Sequence, residues 1–124
     1  MLSMIGILFG QGASEEIKLK KTSSGLDIYY GEKVIAEFSH TQTPQGRPFL
    51  CNIHSLDGIK VTRNYPITDK DQDDHPHHQG IFHTFSQLNG IDFWHMKGVA
   101  KHRLFTTPPK DGNPATFSAE SIYL

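Results

Sequence analysis

The sequence predicts an all-β protein, an antiparallel β-sandwich, and three observations carry that reading. Apolar and polar residues alternate over short runs, the period-two pattern of a half-buried strand. Turn signals recur at intervals of roughly ten residues, the spacing of hairpin-connected strands. Helical periodicity is confined to Ile81, Phe85 and Leu88, and Gly80 and Gly90 bracket too short a segment for a helix.

The elements follow in order. Ile17, Leu19 and Lys21 alternate with polar neighbours, Ser23-Ser24-Gly25 supplies a turn, and Leu26, Ile28 and Tyr30 resume the alternation. Gly31-Glu32 is a second turn, followed by the β-prone run Val34–Phe38. Residues 41–47 read as a loop broken by Pro44 and Gly46. Further strands are expected at Phe49–His54, Ile59–Thr62, Gly80–Phe85, Ile91–His95, Val99–Phe105 and Thr116–Leu124. Pro108–Pro114 reads as a solvated loop, and Asp69–Asp74 as an acidic, hydrated one. Asn89-Gly90 is a strong two-residue hairpin signal.

A chain of 124 residues suits one domain. Twelve basic and thirteen acidic residues balance to a net charge of -1, which supplies no basic face for nucleic acid. Eight Phe, four Tyr and one Trp are enough to seed a core. No apolar run reaches the roughly 20 residues of a membrane-spanning helix. The single cysteine, Cys51, excludes an internal disulfide and reads as a small buried hydrophobe. Residues 1–13 (MLSMIGILFGQGA) resemble the apolar core and small-residue end of a secretory signal without its positive start. They read either as a truncated signal peptide or as a buried first element; the first reading implies a periplasmic or secreted protein with residues 14–124 as its β-sandwich part.

The unusual feature is histidine. Five of the eight, His75, His77, His78, His83 and His95, fall close together, densest in Asp74-His75-Pro76-His77-His78-Gln79-Gly80. In an extended chain His75 and His77 share one side and His78 takes the other. Asp74 can accept a hydrogen bond from an imidazole and fix its tautomer. Three readings are open. In the first, His75, His77 and His78 are catalytic acid/base or polar groups for a small, hydroxyl-rich ligand. In the second, His75 and His77 hold a metal with His83, His95 or Asp74, although no standard zinc spacing occurs. In the third, the histidines satisfy backbone groups of a structural loop. Arg63, a planar donor at a strand end, either grips a ligand or pairs with Asp73 or Asp74. Trp94 either stacks on a sugar or fills the core.

The stretches Val61-Thr62-Arg63-Asn64-Tyr65-Pro66, Asp74–Ile81 and Asn89-Gly90-Ile91-Asp92-Phe93-Trp94 resemble a bacterial family labelled methane-oxygenase PmoA-like. The resemblance covers roughly residues 25 to 104. It implies a galactose-mutarotase-like β-sandwich that binds or acts on carbohydrate, with this chain as its N-terminal part. Arg63, Asp74, Gln79 and Trp94 are then the substrate-binding candidates. Gln79 stands where that family usually has Arg, and Phe82 where it usually has Trp, so this chain lacks one cation of the pattern. The cofactor is left open, and the expected partner is a small molecule or glycan.

Overall fold

The computed structural model describes residues 15–41, 47–71, 75 and 77–124. The leader-like residues 1–13, Asp73, Asp74 and Pro76 lie outside them. Among the described residues seven strands form: β1 (Ile17–Lys21), β2 (Gly25–Tyr30), β3 (Lys33–Ser39), β4 (Phe49–Cys51), β5 (Ile81–Phe82), β6 (Ala100–Lys110) and β7 (Thr116–Tyr123). The first five make one sheet in the order β1-β2-β3-β4-β5, and β6 pairs with β7 in a second. Every pairing is antiparallel, so the all-β expectation holds.

The register sorts the side chains. Leu26 opposes Phe38, Phe38 opposes Leu50 and Leu50 opposes Ile81, which puts these four on one face. That face receives the β6-β7 hairpin: the Phe105 and Phe117 rings lie 6.1 and 5.1 Å from Phe38. His40 stacks on His102 at 4.3 Å beside them. Burial, and to a smaller degree His40, holds the His102 imidazole below its ordinary pKa. The turn of the hairpin also closes on β1, where Ile17 and Gly112 exchange backbone hydrogen bonds of 3.2 and 3.0 Å. The opposite face carries Glu37, Ser39, Phe49, Cys51 and Phe82. Cys51 is fully buried there, and burial pushes its thiol up to about 12, as an inert core residue requires.

Several expected strands are shortened or displaced. β4 stops at Cys51 because Asn52 turns left-handed at φ 48°. Ile59–Thr62 contributes one bridge, His54 to Lys60, and Ile59 and Val61 stay 65% and 68% exposed, with no layer among the described residues to cover them. Gly80–Phe85 contracts to Ile81–Phe82. Ile91–His95 is a turn rather than a strand, its pairing limited to Leu88 with Ile91 across Asn89-Gly90. That two-residue turn is as expected: Asn89 at φ 52° and Gly90 at φ 82° are the paired positive angles of a type I′ turn. In the other direction, β6 runs on through Pro108 and Pro109, which the sequence assigns to a loop. The ladder skips both prolines between Thr107 and Lys110, because neither has an N–H to donate.

Phe38 is the point at which the two sheets meet, and it is 8% exposed. Phe38→Ala should cost about 3–5 kcal/mol in urea unfolding, since the lost ring leaves a cavity among Phe105, Phe117 and His102. A cost below about 1 kcal/mol would show that the hairpin does not rest on this face.

Candidate functional site

The outer face of the sheet is covered by the segment after β4. The Asn52 amide donates to Glu37 Oε1 at 3.1 Å and to the Tyr65 carbonyl at 2.7 Å, and its oxygen accepts the Tyr65 N–H at 3.0 Å. The Tyr65 ring stands edge-on to Phe49 at 4.6 Å. One residue of the acidic loop does more than meet water. The Asp71 carboxylate accepts backbone N–H bonds from Asn64 and Thr68 and side-chain bonds from both, which holds it far below the usual carboxylate range. The loop so anchored presents Arg63, whose Nη1 donates to the His75 carbonyl at 2.9 Å.

A second arginine sets the other side. Arg47, just before β4, is 4% exposed, and its guanidinium lies 3.8 Å from the centre of the Phe82 ring. It donates to three backbone carbonyls, those of His77 (2.7 Å), Phe93 (3.3 Å) and Trp94 (3.4 Å). Burial lowers its pKa, and proximity to Tyr123 opposes that shift. The sequence placed Arg47 in a loop with no role, although a cation between Gly46 and Pro48 at the mouth of an apolar strand was the available sign. Gly80 adds a steric constraint: at φ 144°, a Cβ there would lie 2.0 Å from the Leu50 carbonyl oxygen. The histidine run is therefore seated tightly on the end of β4.

These ties gather the histidines. The His78 N–H bonds to the His75 carbonyl at 2.9 Å, so the run is a turn and not the extended segment the sequence suggests. His75 and His78 consequently stack, 4.9 Å apart and 9° from parallel, instead of facing opposite ways. His77 is 4.3 Å from His78 and 5.2 Å from His95. Trp94 stands 5.9 Å from His78 and 5.7 Å from Phe82, and is 39% exposed. The core position belongs to its neighbour Phe93, which is 4% exposed. His77 is held below its ordinary pKa by burial first, then by His78, His95, His75 and Arg47.

The remaining candidates fall elsewhere. His83 pairs with the Tyr123 hydroxyl at 3.2 Å and joins none of these ring contacts. Gln79 is buried at 5% exposure, and no described residue donates to its Oε1. Asp74 lies outside the described residues. Among the described residues, no three His, Cys, Asp or Glu side chains are arranged to hold a metal ion. A cleft of about 730 Å³ opens on the inner face between Leu50, Ile81, Phe117 and Tyr123, but it excludes the clustered histidines and Trp94.

One protein-family sequence profile, described as a family of unknown function, matches residues 25–124. The chain belongs to the DUF6807 family. The DUF6807 match opens at Gly25, the first residue of β2, and takes in Arg47, the histidine run and Trp94. No curated protein and no solved structure matches the chain.

Arg47→Met should remove three carbonyl partners and cost about 2–4 kcal/mol. Trp94 emission should shift to the red as its backbone is released, and an unchanged spectrum and stability would refute the tie. Acid should also weaken the fold. His77 and His102 both have folded-state pKa values below the ordinary imidazole value of about 6.5, so the unfolded chain binds their protons more readily. Their contribution is complete above about pH 6.5 and declines as pH falls towards the folded-state values. His77→Gln should flatten the stability profile between pH 5 and 7; a slope equal to wild type would contradict the assignment.

Proposed function

We propose that the chain binds a carbohydrate, or a similarly hydroxyl-rich small molecule, on the face formed by Trp94 and the histidines His75, His77 and His78. The observation that supports this is the exposure of Trp94. The only tryptophan of the chain is left 39% exposed next to two imidazoles, while the adjacent phenylalanine takes the core. An indole half in water offers an apolar face to the C–H side of a sugar ring. Imidazoles beside it both donate to and accept from hydroxyls, and a neutral His77 can do either. The backbone of this face is already held by Arg47 and Arg63, so little ordering remains for a ligand to impose. We place the protein outside the cytoplasm, where the signal-like residues 1–13 would direct it.

The lone tryptophan makes the test direct. Titration with a panel of neutral, amino and acidic monosaccharides and their oligomers should change Trp94 fluorescence saturably, with calorimetry confirming the heat. Trp94→Ala and the double change His77→Ala/His78→Ala should each weaken binding by about tenfold or more, about 1.4 kcal/mol. Binding by no member of the panel would overturn the reading. So would variants that melt earlier yet bind as wild type does, which would leave the histidines a structural role.

A further inference from the structure

Next to the stacked histidines stands a pairing of a different kind. His95 Nδ1 lies 2.8 Å from Asp92 Oδ2, and the other carboxylate oxygen, Oδ1, accepts the His95 backbone N–H at 3.0 Å. The carboxylate thus grips one residue at two points, which fixes both the turn and the ring. With Nδ1–H committed to Asp92, the lone pair of the neutral ring resides on Nε2, on the far side of the ring from the carboxylate. The His95 side chain is 59% exposed, and its ring centre is 5.2 Å from that of His77. Hydrogen bonding to His95 also holds Asp92 below the ordinary carboxylate range, so it stays an anion whenever the imidazole accepts a proton.

We propose that His95 is the proton-transfer residue of this face, with Asp92 as its positioning residue, and that it acts on a hydroxyl of the ligand held at Trp94. The inference rests on the carbohydrate reading above for the identity of that ligand. In the step, Nε2 takes the hydroxyl proton: the O–H bond breaks, its electron pair stays on the ligand oxygen, and an N–H bond forms on the ring. Asp92 balances the resulting imidazolium, as a carboxylate beside a general base does. His77 then serves as a neutral hydrogen-bonding neighbour.

The substitution Asp92→Asn separates the dyad from a plain turn. Asn keeps an oxygen for the His95 backbone N–H but presents an amide N–H₂ or a weaker acceptor to Nδ1. Nitrogen NMR of the full chain at pH 8 should show His95 as the Nδ1–H tautomer in wild type and as a mixture or the Nε2–H form in the variant. Diethylpyrocarbonate, which acylates neutral imidazole, should modify His95 at least twofold more slowly in the variant, with His83 unaffected. A sugar that quenches Trp94 should protect His95 from acylation and leave His83 reactive. An unchanged tautomer and rate in Asp92→Asn overturns the dyad, as does a sugar that binds at Trp94 without protecting His95. Failure of every sugar to bind falls on the carbohydrate reading, because tautomer and acylation rate are measured without ligand.

Discussion

The buried guanidinium of Arg47 is the interaction on which the candidate site depends. A cation taken out of water costs several kcal/mol unless charge-assisted hydrogen bonds and a polarisable neighbour offset it. Here three backbone carbonyls and the face of Phe82 take that role. The carbonyls belong to His77, Phe93 and Trp94, so the Nη bonds of one side chain join the histidine turn to the tryptophan turn. The strand bearing Phe82 lies between the two turns along the chain. Arg63 repeats the arrangement more loosely from the other side through the His75 carbonyl.

The sheet makes this possible by giving its two faces different work. Its inner face is apolar and meets the β6-β7 hairpin through Phe38, Phe105 and Phe117. The outer face carries Phe49, Cys51 and Phe82, apolar enough to hold a loop segment down and bordered by polar groups that tie it. Asn52 is the hinge between strand and loop. Its left-handed backbone ends β4, and its amide clamps Tyr65 onto the same face. The strands are scaffold, and the candidate site sits in turns that they position.

Local pattern carried much of the fold. Alternation marked β1, β2 and β7, β-prone residue types marked β3, and Asn89-Gly90 formed the type I′ turn its dipeptide favours. Local pattern failed where an element depends on a partner remote in the chain. Ile59 and Val61 have the right side chains for a strand and find no layer among the described residues to bury them. Pro108 and Pro109 look like loop, yet β6 passes through them because the irregular ladder leaves their missing donors unneeded. The acidic run looked uniformly hydrated, but Asp71 is bound by four donors from Asn64 and Thr68.

By itself the sequence determined the all-β class, most strand positions and the residue types of the candidate site, since these follow from period, turn chemistry and composition. Tertiary structure decided how those residues are used. It made Phe93 the core aromatic and left Trp94 half in water, stacked His75 on His78, and drew His95 towards His77 while sending His83 to Tyr123. It also gave Arg47 its role, through carbonyls 30 and more residues away. For Arg47 the physical reason is plain. A backbone carbonyl is present at every position, so no residue pattern announces which ones a buried cation will gather.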